Sequence, residues 1–187
     1  LLQAVAPVLE GLFRSPLSNL NANEYASVRA QTERFIDLLL EAQEQGQLRG
    51  FDGQDAYQLV VHNLALLSLQ DQASNECLLG DHGIRHLLDH NIRVCEDLAD
   101  QLEERGFELR PVDRLALHQT MILHDVGYAL PSVRQGMARS GIRGQDAGHP
   151  WTGARYAQDC FDSSDHPLSK VFPAEKQQLI VRCVLLH

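Results

Sequence analysis

A single His-Asp pair is the part of this 187-residue sequence best suited to chemistry. His124 and Asp125 end an apolar run, residues 121–123, and Gly127 follows almost at once. Adjacent side chains on a helix point about 100° apart. Both polar groups can therefore face the core only if a polar or charged partner lies there. Burying an unpaired carboxylate is expensive, and a metal ion that takes both groups as ligands removes that cost. The pair therefore indicates a metal site, while the alternative is a helix that ends at Leu123 with Asp125 on a solvated turn.

Three further histidines stand at positions from which they could join this pair. His90 lies one helical turn before Val94, which places it on the core-facing side of a long amphipathic helix. His149 stands just before a helix N-terminus, and His187 follows the apolar run 179–186. A single histidine in a chain that has nine is usually a surface or core residue, so the prediction depends on their arrangement.

Helices must position these side chains, because helical periodicity dominates and alternating strand patterns are nearly absent. The fold class is therefore predicted to be all-α. A first short helix ends at Ser15-Pro16, and later helices are predicted over 23–45, 55–69, 84–105, 111–124, 150–161 and 174–187. A polar stretch, residues 70–76, divides the chain into an N-terminal helical region of unknown role (1–75) and the region that carries the chemistry (76–187).

Composition and charge limit the partners and surroundings of the chain. The formal net charge of −9 repels polyanions, which argues against nucleic acid as the main partner. No apolar run reaches the roughly 18 residues that a membrane-spanning helix needs, and the apolar start lacks the basic residues that open a signal peptide. The four cysteines form no CxxC pair, so reduced thiols in a cytoplasmic protein are expected.

Taken in order, the segments resemble the signature of the HD superfamily of metal-dependent phosphohydrolases. His-Asn-Ile-Arg-Val, from His90, is similar to the family's first-ligand motif, and Ile-Leu-His-Asp-Val-Gly (122–127) is similar to the motif that names it. His-Pro-Trp-Thr-Gly-Ala, from His149, resembles the third motif, and His187 resembles the fourth. The resemblance covers residues 81–187 and implies an HD-domain-like helical bundle with an N-terminal helical extension. The late aspartate of most members would follow His187, and the Gly-Tyr-Pro motif of the cyclic-di-GMP phosphodiesterase branch is absent.

The resemblance also implies a ligand set and a reaction. The implied metal ligands are His90, His124, Asp125, His149 and His187. They would hold one or two divalent ions, with Fe, Mn, Zn, Co, Ni and Mg all open, and Asp125 would bridge a pair. A metal-bound hydroxide would then hydrolyse a phosphate ester of a nucleotide or of another small phosphorylated metabolite.

The first ligand has three candidates, because His82, His86 and His90 follow one another at one-turn intervals. His90 is preferred because it is followed by the Arg-Val of the family motif. His86 then lies one turn before the ligand, where cyclic-nucleotide phosphodiesterases of this superfamily have a histidine that protonates the leaving oxygen. His86 and Asp125 are therefore the predicted catalytic residues.

The Gly-rich connection before His149 carries the positive charge that an acidic chain needs in order to hold phosphate. It contains Arg134, Arg139 and Arg143, and arginine binds phosphate through two parallel hydrogen bonds. These three residues are the predicted substrate contacts, and the alternative is a solvated loop whose arginines contact nothing.

The remaining histidines carry weaker expectations. His118 shares roughly the face of Asp125, seven residues later, but a capping or surface role is favoured for it. His62 and His166 are expected to be structural or solvated.

Two other functions are compatible with the same residues. Some HD-fold enzymes use these ligands in a di-iron oxygenase, and a non-catalytic HD module would bind a nucleotide and signal through the N-terminal helices. A missing or displaced carboxylate at the position of the family's late aspartate would favour the non-catalytic module. For the enzyme, the predicted partner is a small phosphorylated substrate with no membrane involved, and the N-terminal helices are free to form a homodimer interface.

Overall fold

The computed structural model describes residues 1–14, 20–50, 52–77, 84, 86–87, 92–130 and 148–186, and these residues are helical apart from short connections. The all-α prediction is confirmed, and no strand occurs in these ranges. The helices are α1 (Leu2–Arg14), α2 (Ala22–Glu44), α3 (Gly53–Cys77), α4 (Arg93–Glu104), α5 (Pro111–Leu123), α6 (Val126–Ala129), α7 (His149–Asp162), α8 (Pro167–Val171) and α9 (Ala174–Leu186). None of the described helices combines the length and the apolar character required to cross a membrane.

Local signals in the sequence set several helix ends. Asn21 opens α2 with a capping box, in which its side chain accepts from the backbone N–H of Glu24 and the Glu24 carboxylate accepts from the N–H of Asn21. Gly106 ends α4 as predicted, with a φ of +87° that favours glycine. The cap of α3 is Asp52, whose side chain accepts from the N–H of Asp55, so this helix begins at Gly53, before the predicted start at residue 55.

Helix α3 continues through the polar stretch that was predicted to be a break. Gln70 and Ala73 lie on its buried side, one turn apart, at 2% and 0% exposure. Gln70 is compatible with the interior because its side-chain amide donates to the backbone carbonyl of Ile122, 2.7 Å away. The polar side chain of Gln70 therefore binds the C-terminal end of α5, and it does not indicate a loop. The predicted polar connection 162–173 likewise contains α8.

Helix α5 lies at the centre of the described fold and contacts α2, α3, α4, α6, α7 and α9. Leu115 and Leu123 are fully buried along it. Its polar residue Gln119 is also fully buried and exchanges two side-chain amide hydrogen bonds with Asn63 of α3, at 2.9 and 3.0 Å. Because α5 is surrounded, the residues that follow its C-terminal end are delivered to the interior of the bundle.

Helix α4 differs from its predicted packing. Val94 was expected on the core-facing side but is 60% exposed, and Leu98, one turn later, is 52% exposed, while Ala99 is buried. The helix is joined to α5 by His118, whose Nε2 lies 3.0 Å from the Glu96 carboxylate, and this hydrogen bond is the largest cause of a lowered pKa of Glu96. His118 is thus buried and engaged between two helices, which is neither the capping nor the surface role favoured for it.

Candidate metal centre

Asp125 is the centre of the site, and its carboxylate lies between three histidines. It directly follows α5 and the helix-ending residue His124, and it is 1% exposed. Its Oδ2 lies 3.2 Å from Nε2 of His124 and 3.9 Å from Nε2 of His86, whereas its Oδ1 lies 3.6 Å from Nε2 of His149. The two oxygens of one buried carboxylate therefore face different imidazoles.

The backbone fixes which nitrogen of His124 faces the carboxylate. Nδ1 of His124 lies 2.6 Å from the carbonyl oxygen of Met121. A carbonyl oxygen can only accept, so Nδ1 carries the hydrogen and Nε2 of the neutral ring presents a lone pair. That lone pair points toward Oδ2 of Asp125, which is also an acceptor. A cation between two such atoms, either a proton or a metal ion, makes the contact attractive.

His149 reaches the site from the first turn of α7, which begins at this residue rather than one residue later as predicted. Its ring stacks on the ring of Tyr128 from α6, with centroids 3.8 Å apart and planes inclined by 17°. Burial, together with the charge of Asp125, raises the pKa of Tyr128 to about 12, so its hydroxyl remains a hydrogen-bond donor at neutral pH. Helix α6 thus holds the His149 ring in place.

Gly127 allows the backbone of His149 to come this close. A Cβ at residue 127 would lie 2.1 Å from the carbonyl oxygen of His149 and 2.9 Å from its Cα. Such an overlap with rigid backbone forces the two segments apart, so only glycine fits. The glycine of the His-Asp-Val-Gly motif is therefore a positioning residue for the third histidine.

The structure brings four of the predicted residues together. His86, His124 and Asp125 each offer a ligand atom within 4.8 Å of the others, and His149 contacts Asp125 as well. His86 was predicted as a proton donor, and its position is also compatible with a ligand. His90 was predicted to face the core because it lies on the same helix face as Val94. Since Val94 is exposed, that reason for choosing His90 as a ligand no longer holds. The predicted residues outside the described ranges are His82, His90, Arg134, Arg139, Arg143 and His187.

The chemistry of this donor set fits a divalent cation. Imidazole nitrogens and one carboxylate are the ligands that Fe, Mn, Zn, Co and Ni accept in proteins. Three elements converge on a negative charge that is removed from water, which favours a bound cation over solvation. His86 is the open side of the site, with 27% of its side chain exposed against 4% for His124 and 7% for His149.

A second group of donor atoms lies in a different part of the fold, where sequence reasoning predicted only structural or solvated histidines. His62 of α3, Cys160 of α7 and His166 before α8 place their ligand atoms within 4.8 Å of one another. The rings of His62 and His166 meet edge to face with centroids 4.6 Å apart, and the hydroxyl of Tyr156 lies 3.4 Å from Nε2 of His62. Cys160 and His166 are six residues apart but His62 is far away in sequence, so no spacing signal could have found the group.

The Gly127 contact predicts a specific effect on both stability and metal binding. We expect Gly127→Ala to destabilise the protein by about 3 kcal/mol and to reduce its metal content, because the new methyl group displaces the His149 backbone. The free energy of unfolding from denaturant titration and the bound metal from mass spectrometry test this expectation.

Gly153→Ala is the matched control. Its Cβ would lie 3.3 Å from Val184 Cγ1 and 3.4 Å from the backbone nitrogen of Gly127, close contacts without the overlap seen at residue 127, so we expect a change of about 1 kcal/mol or less and an unaltered metal content. If the two variants proved equally stable and bound metal equally well, Gly127 would not position His149.

The lowered pKa of His62 predicts that the free energy of unfolding depends on pH. Burial, and secondarily the charge of His166, lower the pKa of His62 from 6.5 to about 4. Between these values the unfolded chain binds more protons than the folded one, so the free energy of unfolding must fall as the pH falls through this window. The expected loss is on the order of 3 kcal/mol. Denaturant titrations across the window, in the presence of a chelator, measure it.

His62→Gln is the comparison for this pH dependence. The substitution keeps a side chain that can hydrogen-bond but does not titrate, so the variant should lose less stability than the wild type over the same window. Burial also lowers the pKa of His166, so part of the slope should remain in the variant. Identical slopes in the two proteins would contradict the assignment to His62.

Comparison of this chain with protein-family models, with curated proteins and with solved structures found no match. The geometry of Asp125 and its histidines is therefore what supports a metal centre in this protein. That geometry supports a site of the chemical class that the sequence motifs predict, with groups able to hold a metal ion.

Proposed function

We propose that this protein is a metal-dependent phosphohydrolase of the HD type, which hydrolyses a phosphate ester of a nucleotide or of another small phosphorylated metabolite. The observation that supports the proposal most is the buried carboxylate of Asp125. Its two oxygens face histidines from different parts of the chain, at 3.2 Å for His124 and 3.6 Å for His149. A carboxylate in this arrangement suits a bridge between two cations.

His86, His124, Asp125 and His149 would hold the metal, and His90 and His187 remain the predicted further ligands. Divalent ions bound there would supply a water of lowered pKa and positive charge for the phosphoryl oxygens. Asp125 would contribute the negative charge that retains such ions, and the Met121 carbonyl, by holding the hydrogen on Nδ1 of His124, would leave Nε2 of that ring as the donor.

The exposure of the three histidines suggests how substrate approaches. His86 is the most exposed of them, so a phosphate ester arriving from solvent would meet its imidazole first. A protonated His86 could then give its proton to the leaving oxygen, the role predicted from the sequence. The Tyr128 hydroxyl, which stays protonated at neutral pH, adds a donor near the carboxylate. Arg134, Arg139 and Arg143 remain the proposed phosphate contacts.

Asp125→Asn is the sharpest test of the proposal, because it keeps the shape of the side chain and removes its charge. We expect the variant to lose bound metal and to lose turnover of phosphomonoester and phosphodiester substrates to the background rate. Metal analysis and a substrate panel on the full chain measure both. Asp159→Asn is the control, since that carboxylate is exposed on the same helix as His149 and should be dispensable.

Turnover by Asp125→Asn at the wild-type rate would refute the catalytic assignment. Metal binding together with nucleotide binding, but without turnover at any metal loading, would favour the signalling module. Oxygen-dependent turnover by an iron-loaded protein would favour the oxygenase.

His86→Ala separates a proton donor from a ligand. A proton donor predicts retained metal and a rate about 10²- to 10⁴-fold lower, concentrated in kcat. The loss should diminish for substrates whose leaving group needs no proton. If the variant loses its metal together with its activity, His86 is a ligand instead.

A further inference from the structure

The cluster of His62, Cys160 and His166 has the donor set of a metal site that the proposed phosphohydrolase does not use. Each residue comes from a different element: α3, α7 and the connection before α8. Their ligand atoms lie within 4.8 Å of one another, and Cys160 is buried while the two histidines are partly exposed. A thiol and two imidazoles together select a borderline or soft cation such as Zn²⁺.

The spacing fits such an ion after a small adjustment. Zinc binds sulfur at about 2.3 Å and imidazole nitrogen at about 2.0 Å, which places tetrahedral donors about 3.5 Å apart. Closing from within 4.8 Å requires displacements of about 1 Å, which side-chain rotation provides. Three protein donors would leave the fourth coordination position of a tetrahedral ion open. Because His166 is partly exposed, water could reach that position.

Neighbouring groups already hold the donors in place. The hydroxyl of Tyr156 lies 3.4 Å from Nε2 of His62 and also interacts with the thiol of Cys160. Nδ1 of His166 accepts from the backbone N–H of Leu168 at 3.3 Å, which fixes the ring as the cap of α8.

This cluster is separate from the Asp125 centre. Helix α7 carries His149 in its first turn and Cys160 near its end, and eleven residues at 1.5 Å each put them about 16 Å apart along its axis. We infer that His62, Cys160 and His166 form a second metal site, which takes Zn²⁺ or a cation of similar softness and ties α3, α7 and the start of α8 together. On binding, Cys160 exchanges its thiol proton for the metal, and the proton passes to solvent.

Cobalt substitution tests the site without reference to activity. The reduced full chain is stripped with a chelator and titrated with Co²⁺ beyond the capacity of both centres. A cobalt–thiolate bond gives an intense near-ultraviolet charge-transfer absorption, which nitrogen and oxygen ligands do not give. We expect this band in the wild type, its loss in Cys160→Ser, and its full retention in Cys183→Ala, which removes an exposed thiol.

Two further variants separate loss of the site from loss of the fold. His166→Asn keeps a side chain suited to cap α8 and removes an imidazole, so it should weaken cobalt binding at least about 10-fold without unfolding the protein. Asp125→Asn should keep the band, so failure of the phosphohydrolase proposal and failure of this one are distinguishable. Zn²⁺ should also raise the thermal unfolding temperature of the wild type by more than that of Cys160→Ser, in which only the Asp125 centre remains to bind it.

Absence of the thiolate band in the wild type would overturn the inference, and so would its persistence in Cys160→Ser. Either result would make the group a packed contact between helices. Circular dichroism of every variant identifies any that has unfolded, and His166→Asn then carries the comparison in place of Cys160→Ser.

Discussion

The buried charge of Asp125 is the constraint that the rest of the described structure serves. A carboxylate that is 1% exposed in an apolar bundle is costly unless positive charge or hydrogen-bond donors surround it. The fold therefore brings imidazoles to it from separate segments, and the Met121 carbonyl orients one of them. Helix α5 is enclosed by other helices, so the residues that follow its end, His124 and Asp125, lie in the interior.

The requirement for close approach explains why small residues accompany the charged ones. The backbone of His149 passes so near Gly127 that a methyl group would overlap its carbonyl oxygen. Gly153, one turn into α7, also lies close to α6 and α9, but a methyl group there would stay 3.3 Å or more from its neighbours. The His-Asp and His-Pro motifs thus need their glycines for packing, and this packing sets the distance between Asp125 and His149.

Much of the fold could be predicted because its signals are local. Gly106 and Pro111 mark helix ends through backbone conformations that neighbouring residues cannot change. Long-range packing carries no such signal. The polarity of Gln70 suggested a break, yet its partner is a carbonyl more than fifty residues away, and apolar Val94 faces solvent. The His-Asp pair was recognisable because its two donor groups are adjacent in sequence, whereas His62 and Cys160 meet only through the tertiary fold.

Helix α7 links the two groups of donors, and their chemistry keeps them distinct. Its first turn presents His149 to a carboxylate, and its last turns present a thiol to two imidazoles. Nitrogen and oxygen donors accept many divalent ions, while a thiolate strongly favours the softer ones, so the two groups differ in selectivity although one rigid element carries both. A shift of α7 along its axis would alter both sets of distances at once. Metal bound near Cys160 would therefore resist the displacement of His149 from Asp125, and the stability of one group would depend on the geometry of the other.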